Sequence, residues 1–385
     1  MLGASGAARR LIAGSTKATG PLVGGQAARS RGPPRWGALA STRMHGRRVY
    51  GQAGPRERDA AAPREPGGEP GGAPAAAPRP QSIAPPGTKA TLRHLRAKYE
   101  AGLPLAIVTA YDYPSAQLAE RAGVDVVLVG DSVGMVVLGY DSTTPVTMDE
   151  MIHHTKAARR GAPHSLLVAD LPFGSYLHAH DCVHNGARLL KEGGADAVKL
   201  EGGRRVLAQV RALVDAGIAV MGHVGLTPQT HASLGGYTVQ GKTTVAAREL
   251  LADARALEAA GCFSIVLEMV PHKLAALVTA QLRVPTIGIG AGVSTSGQVQ
   301  VMHDLLGLYD KFQPKFAARY AAVGAISGRA LAEYVADVAA RRFPGAQHSF
   351  AMPDAELHAL EDELAVGAVD SDGERRGDLE ARAEP

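Results

Sequence analysis

Several residue types are scarce in this chain of 385 residues, and each scarcity excludes a class of protein. The only cysteines are Cys182 and Cys262, too few for a disulfide framework or a thiolate metal site, and such sparse use is typical of a reducing compartment. No apolar run reaches about 18 residues, so the sequence predicts no membrane span. The formal net charge of +4 is too small to indicate a nucleic-acid partner.

Acidic residues are absent from residues 1–56, where Arg and Lys recur among Ala, Ser and Gly. An Arg-rich segment without acids is typical of an organellar transit peptide, because a cationic leader is drawn toward a negatively polarised compartment. We predict a mitochondrial leader, since Arg outweighs Ser, with a plastid leader as the alternative. The plainer interpretation is a tail that carries no address.

The composition then divides the rest of the chain into three parts. Residues 57–87 are rich in Pro, Gly and Ala and predict a linker, because they bury too little apolar area to offset the entropy of ordering. Residues 351–385 are acidic and predict a disordered tail with a short helix near 354–364. Residues 88–350 carry the apolar patterning of a folded catalytic domain.

Short apolar runs, bounded by turn residues, recur through that domain. Continuous runs of this kind predict strands buried on both faces, as in a parallel sheet. The predicted strands are 105–112, 124–132, 165–173, 196–203, 218–226, 264–270 and 285–292. Helical stretches lie between them, and a glycine follows several of these helices just before the next strand, at Gly123, Gly193, Gly217 and Gly261.

Serial strand–helix units of this number predict a (β/α)8 TIM barrel, flanked by the disordered leader and the acidic tail. Seven strands are clear, and the eighth is expected near Leu308–Phe312. The alternative is a doubly wound open sheet, but no G-x-G-x-x-G sequence follows the first strand to support it.

Charged and polar side chains stand where the predicted strands end. They are Asp131 with Ser132, Asp170, Lys199 with Glu201, His223, and Glu268. In a barrel the carboxyl ends of all strands meet at one face, where the chemistry takes place. Carboxylates gathered there need a compensating cation, and hard oxygen ligands without cysteine favour Mg²⁺.

Each of these positions also has a plainer interpretation. An Asp after a strand often caps the next helix, and Lys199 with Glu201 could form a structural ion pair as readily as a site for an anionic substrate. His223 fits a brace for the fifth loop and a catalytic role equally well. The Gly-rich segment 288–299, expected to precede a helix, fits a phosphate loop, room for a folate or a subunit contact.

Longer strings in the chain carry a resemblance to a known family. Between residues 90 and 350 the chain contains TAYDYPSAQLAERAG, LVGDSVGMVVLGYDSTTPVTMDEMIHHTKAARRGAP, ADLPFGSY, VKLEGG, MGHVGLTPQ, GGYTVQGK, LEMVP, IGIGAG and VMHDLLG. In order and spacing they resemble ketopantoate hydroxymethyltransferases. One departure is Ser296, where that family usually has Asp before Gly-Gln in the seventh loop.

The resemblance implies a role for each matching position. Asp131 and Asp170 match the Mg²⁺ ligands, and Glu201 matches a carboxylate close to the metal. Asp131, Ser132, Asp170 and Lys199 match the segments that bind the keto acid, and Glu268 matches the general base.

The implied reaction joins 3-methyl-2-oxobutanoate to the one-carbon unit of 5,10-methylenetetrahydrofolate, which is a co-substrate. The resemblance also implies a homo-oligomer, commonly a decamer. The small net charge and the lack of a long apolar run predict no nucleic-acid or membrane partner. The alternatives are a lyase or mutase of the phosphoenolpyruvate mutase–isocitrate lyase group, whose lysine–cysteine loop motif is missing from the sequence, and a non-catalytic oligomeric scaffold.

Overall fold

The strands of the computed structural model, which describes residues 83–85 and 87–365, close into a barrel. Each strand pairs in parallel with the next, and the last pairs with the first through Leu105 and Gly297. The strands are β1 (Leu105–Thr109), β2 (Val126–Val129), β3 (Leu166–Asp170), β4 (Ala197–Lys199), β5 (Val220–Gly225), β6 (Ser264–Glu268), β7 (Thr286–Ile289) and β8 (Gly297–Gln300). The predicted (β/α)8 class is therefore confirmed.

Helices surround the barrel, and none within the described residues is long and apolar enough to cross a membrane. They are α1 (Leu92–Glu100), α2 (Tyr113–Ala122), α3 (Val133–Val136), α4 (Met148–Gly161), α5 (Ala179–Arg188), α6 (Leu207–Asp215), α7 (Thr244–Ala259), α8 (His272–Gln281), α9 (Met302–Leu306), α10 (Val323–Ala339) and α11 at 354–365. A π-helical turn, Leu189–Gly193, extends α5, and 3₁₀ turns lie at Arg204–Val206, Pro228–Leu234 and Ala346–His348.

The predicted flanking segments fall largely outside the described residues. The leader at 1–56 and most of the linker at 57–87 lie outside them, as do residues 366–385 of the tail. α11 occupies the place where the sequence predicts a short helix in that tail. The domain boundaries stay predictions.

The expected eighth strand near Leu308–Phe312 is wrong. β8 lies earlier and begins within the Gly-rich segment, so that segment leads from β7 into a strand and not into a helix. The strand escaped notice because it alternates Val299 with Gln298 and Gln300 and has no continuous apolar run. Gly297 is required at its start, since a Cβ there would lie 2.5 Å from the Leu105 carbonyl oxygen.

Helix α2 illustrates why the strand–helix joints form where they do. Asp112 caps it by accepting a hydrogen bond from the Ser115 N–H at 2.8 Å, and Pro114 lies in its first turn. It ends at Gly123, whose φ of 79° is the left-handed conformation that glycine adopts most easily. At the joint before β4 the left-handed residue is Gly194, one position beyond the predicted Gly193.

Alternation along each strand divides the core into two layers. Val126 and Leu128 of β2 belong to a cluster inside the barrel, whereas Val127 and Val129 pack outward against the helices. The same period of two governs the other strands, because successive side chains point to opposite faces. Residues at the ends of the inner rows therefore point into the mouth of the barrel.

Candidate active site

The candidate site lies at the carboxyl ends of the strands and continues the inner rows. Asp170 follows Val168 by two residues, Lys199 and Glu201 follow Ala197, His223 follows Met221, and Glu268 follows Val266. Side chains two apart on a strand share a face, so these groups converge on one cavity. All of them line it together with Asp131 and Ser132, so the structure brings together every site residue that the sequence predicted.

Asp131, Asp170 and Lys199 form the floor of this cavity. The Lys199 Nζ donates a hydrogen bond to Asp170 Oδ2 at 2.9 Å, and the Asp131 backbone N–H donates to the same oxygen at 3.1 Å. Gly130 leaves room for the Ser132 hydroxyl, because a Cβ there would lie 2.9 Å from the Ser132 Oγ. Asp170 Oδ1 is buried and has no hydrogen-bond partner within the described chain.

Burial and mutual repulsion perturb these acids. Burial, together with the Asp170 carboxylate, raises the pKa of Asp131 to about 7. Burial and then Asp131 raise the pKa of Glu201 well above its usual range. Burial opposes the charge on Lys199, but Asp170, Glu201 and Asp131 outweigh it and raise the pKa of this amine. Lys199 is therefore the cation that partly neutralises the floor.

Gln229 joins two of the carboxylates, and sequence reasoning missed it. Its Nε2 donates to Asp131 Oδ2 at 2.8 Å and to the Leu171 carbonyl at 2.9 Å, while its backbone N–H donates to Glu201 Oε2 at 3.0 Å. The Tyr176 hydroxyl donates to its Oε1, which fixes the amide orientation. Gln229 sits in the 3₁₀ turn after β5, where spacing along the chain does not reveal a functional side chain.

Glu268 and His223 form the opposite wall of the cavity. The Glu268 side chain is 14% exposed, and its Oε2 lies 3.5 Å from His223 Nε2. Burial raises the pKa of Glu268 to about 8, although Lys199 opposes the shift. Met269, the next residue, has a φ of 47°, a strained conformation that turns the chain away directly after Glu268.

His223 braces the fifth loop, which is one of the two roles that the sequence left open, and the catalytic role stays a prediction. Its Nε2 lies 2.7 Å from the Leu226 carbonyl oxygen, so the ring donates there and braces the fifth loop. Burial, with Lys199 nearby, lowers its pKa well below the usual range, so the ring is neutral. Its Nδ1 is buried without a partner among the described residues. The ring thus lies beside Glu268 without neutralising it.

Ser132 lies at the rim of the floor, where β2 gives way to α3. Its Oγ is 2.8 Å from the hydroxyl of Tyr111, a fully buried side chain that follows β1. Burial raises the pKa of Tyr111, so its hydroxyl stays protonated and can donate to Ser132. This arrangement holds the Ser132 hydroxyl next to Asp131 at the cavity edge.

The carboxylate oxygens on the floor suit a magnesium ion that takes only part of its coordination shell from the protein. No group of three or more His, Cys, Asp or Glu residues stands in a ready-made metal arrangement within 83–85 and 87–365. Mg²⁺ commonly takes one or two carboxylates and completes its shell with water or substrate oxygens. Asp131 and Asp170, with the free Oδ1 of Asp170, fit that requirement.

The departure at Ser296 lies away from these groups. Ser296 precedes β8 at the amino ends of the strands, where its Oγ accepts a hydrogen bond from the Thr286 N–H at 3.1 Å and its carbonyl accepts one from the Leu105 N–H at 3.0 Å. Its hydroxyl joins the starts of β7 and β8, at the end of the barrel opposite the carboxylates.

Fold and site together define an enzyme of the (β/α)8 class, with buried carboxylates and a lysine converging at the mouth of the barrel. The sequence profile described as ketopantoate hydroxymethyltransferase matches residues 89–346. The chain belongs to this family.

Curated relatives agree with this assignment. The 3-methyl-2-oxobutanoate hydroxymethyltransferase of Heliobacterium modesticaldum is 58% identical over 267 residues, which cover 69% of this chain and 97% of that one. An enzyme of the same name from Thermus thermophilus is 57% identical over 249 residues, which cover 65% of this chain and 95% of that one.

Among solved structures, a phosphonopyruvate hydrolase aligns with a TM-score of 0.47 and 16% identity, over 77% of this chain and 99% of its own.

Proposed function

We propose that this chain transfers a hydroxymethyl group from 5,10-methylenetetrahydrofolate to 3-methyl-2-oxobutanoate and yields 2-dehydropantoate. The names of relatives with 58% and 57% identity support the reaction. The observation that carries the proposal for this chain is the convergence of Asp131, Asp170, Lys199 and Glu268 on one cavity. The relatives in question are nearly fully covered by the alignment, so the comparison concerns the whole enzyme.

The floor carboxylates would hold Mg²⁺ in this reaction. Asp131 and Asp170 would supply its protein oxygens, and Glu201, which shares Gln229 with Asp131 as a hydrogen-bond donor, would add a third carboxylate near the ion. When bound, the ion withdraws electron density from the keto and carboxylate oxygens of the substrate and acidifies its C3 proton. Lys199 and the Ser132 hydroxyl then bind the carboxylate of the keto acid.

Glu268 acts as the general base. Its carboxylate takes the proton from C3, and the electron pair of the broken C–H bond delocalises into the enolate. Water breaks the two C–N bonds of the one-carbon unit, so that its oxygen stays on that carbon, its two hydrogens go to the folate nitrogens, and tetrahydrofolate leaves. C3 then forms a bond to this carbon, and the resulting alkoxide takes back the proton held by Glu268. Burial keeps Glu268 basic enough for this step, since a carboxylate with a pKa of about 8 holds a proton more firmly than an ordinary one.

One incubation tests the reaction itself. The protein is mixed with Mg²⁺, 3-methyl-2-oxobutanoate and methylenetetrahydrofolate, and 2-dehydropantoate is measured by mass spectrometry. Product that requires all three additions supports the proposal. Cleavage of 2-methylisocitrate without 2-dehydropantoate would instead favour a lyase, and binding without any turnover would favour a scaffold.

The Glu268→Gln variant tests the base. It should bind Mg²⁺ and the keto acid normally, yet exchange the C3 proton with deuterated water at least about 100-fold more slowly, because the amide cannot accept the proton. The matched control is Glu361→Gln, an exposed position on α11. Exchange that proceeds at the parent rate in Glu268→Gln would remove this residue as the base.

The leader and the assembly are parts of the same proposal. Residues 1–56, without acids, would direct the chain to mitochondria, and a fusion of this segment to a fluorescent protein tests the address, with plastids as the alternative.

Homo-oligomers, with a decamer as the expected size, are supported by α10, none of whose residues is buried within one chain although it carries Leu331 and Tyr334. Light scattering of the purified protein measures that size.

A further inference from the structure

The outer part of the cavity has an aromatic and apolar wall. Phe312 and Tyr237 line the cavity although they are 63% and 45% exposed, and Phe316 and Met135 lie beside them. Tyr237 is held by stacking on His231, with ring centroids 4.8 Å apart. Aromatic residues make up only 4% of the chain, so a wall with several aromatic side chains is unusual for this protein. A five-carbon keto acid on the carboxylate floor would leave the wall uncovered.

Asp304 of α9 lines the same cavity. The residue is 7% exposed, and its carboxylate makes neither a hydrogen bond nor an ion pair within the part of the chain that the structure describes. Burial raises its pKa, and the charge that opposes the shift is Arg319, which lies outside the floor. A carboxylate that lines a cavity and has no partner in the described chain is open to a ligand, and because ionised carboxylate oxygens only accept hydrogen bonds, it points to a ligand with hydrogen-bond donors.

Gln300 is a second residue of the cavity lining with a polar atom that has no partner in the described chain. Its Oε1 is buried and accepts no hydrogen bond from the described residues. Gln300 ends β8, and α9 begins two residues later, where the Met302 N–H donates to the Thr109 Oγ1 at 3.2 Å. That bond ties the start of α9 to β1, so both Gln300 and Asp304 are held on ordered elements.

We propose that Asp304 binds the pterin ring of the folate co-substrate, an inference that rests on the proposed function. The pyrimidine edge of a reduced pterin presents an N–H and an amino group side by side, which match the two oxygens of a carboxylate. Gln300 supplies a further polar contact next to that edge. The wall formed by Tyr237, Phe312 and Phe316 covers the ring and the aromatic arm that follows it.

The keto acid cannot serve as the partner of Asp304. Ionised 3-methyl-2-oxobutanoate carries oxygens that accept hydrogen bonds, has no donor and is negatively charged, so a carboxylate repels it. The floor, with Lys199, has the opposite character and suits that anion. The cavity therefore divides into a floor for the keto acid and an outer part for a ligand rich in donors.

Calorimetric titration with tetrahydrofolate tests the assignment directly. Asp304→Asn, which keeps the size of the side chain, and Asp304→Ala should both bind tetrahydrofolate about 10- to 100-fold more weakly, because a charge-assisted pair of hydrogen bonds is lost. Binding of 3-methyl-2-oxobutanoate with Mg²⁺ should change less than about twofold, since it occupies the floor. The matched control is Asp310→Asn, an exposed aspartate six residues further along the chain.

An analogue that lacks the 2-amino group gives a second measurement. The parent protein should bind this desamino tetrahydrofolate at least about tenfold more weakly than tetrahydrofolate, whereas Asp304→Ala should bind both with similar affinity. Such a double-mutant cycle separates the hydrogen bond from any general change in folding.

Two results would overturn the assignment. One is tetrahydrofolate affinity that is unchanged in both Asp304 variants, and the other is a loss of keto-acid binding equal to the loss of folate binding. Failure of the proposed reaction is a separate outcome, since a parent protein that forms no 2-dehydropantoate can still bind tetrahydrofolate through Asp304.

Discussion

The acids of the site differ in their hydrogen-bond partners as much as in their burial. Asp170 is bonded to Lys199, Asp131 to Gln229, and Glu268 lies beside a neutral His223. One cavity therefore places its carboxylates in three different environments, and burial raises the pKa of Asp131 to about 7 and that of Glu268 to about 8.

Gln229→Met tests whether Gln229 positions the metal ligands. The methionine keeps nearly the same volume but loses the donors to Asp131 and Leu171, so we expect Mg²⁺ to bind about 10- to 100-fold more weakly, as is typical when a residue behind a metal ligand is changed. Calorimetry with Mg²⁺, or the spin resonance of Mn²⁺, measures this affinity without relying on turnover. The matched control, Gln298→Met, removes hydrogen bonds to Gly292 and Thr295. Equal Mg²⁺ affinity in both variants would mean that Gln229 only fills space.

At the scale of elements, the ends of β5 and β6 position the base and its neighbour. Gly225 of β5 pairs with Glu268 of β6, and the Leu226 N–H donates to the Glu268 carbonyl at 2.9 Å. Gly225 has a φ of 97°, and a Cβ there would lie 2.2 Å from that same carbonyl oxygen. Only glycine lets the two strand ends approach in this way.

Gly225→Ala should therefore damage both stability and catalysis. The clash and the backbone strain predict a loss of roughly 2–4 kcal/mol in the free energy of unfolding and a marked fall in C3-proton exchange, because Glu268 is displaced. The matched control is Gly217→Ala, which has a φ of 79° but no atom within 4 Å of the added Cβ, so it should cost only about 1 kcal/mol. Urea unfolding and deuterium exchange measure the two effects. Similar losses in both variants would contradict the role of the close approach.

At the scale of the whole molecule, the buried acids of the cavity make the free energy of unfolding depend on pH. Asp131, Glu201 and Glu268 all hold protons more firmly when folded than ordinary carboxylates do. The unfolded chain releases those protons near pH 4, so ionising them in the folded protein lowers its stability as pH rises. His223 acts in the opposite sense, because its lowered pKa makes the folded state less stable below about pH 6.5.

Above pH 6.5 the carboxylates act alone, and the metal-free protein should lose stability between pH 6.5 and 8. The expected slope is about 1.4 kcal/mol per pH unit for each acid that is still protonated in the folded state. Saturation with Mg²⁺ should flatten the slope, because a cation favours the ionised ligands. Urea unfolding in EDTA and in Mg²⁺ gives the curve of stability against pH for each state. The Glu268→Gln variant should lower the metal-free slope by the contribution of one acid. Metal-free stability that rises over this interval would contradict the buried-carboxylate account.

Much of this architecture follows from local patterns in the chain. Seven of the strands lie where continuous apolar runs predict them, since strands buried on both faces need such runs. The residues at their ends, from Asp131 to Glu268, could be named because the inner rows of a barrel all open at one face. β8 was missed because its glutamines interrupt the apolar pattern, and the strand is held by its pairing with β1 and β7.

By itself the sequence determined the barrel class, the family and the residues at the strand ends, because apolar periodicity and local strings are properties of the chain. The tertiary structure decided what no spacing along the chain encodes. It places Gln229 between Asp131 and Glu201, sets His223 beside Glu268, and leaves Asp304 without a side-chain partner in the lining of the same cavity. Those relations join residues up to 98 positions apart, and they arise only when closure of the barrel brings separate loops to one mouth.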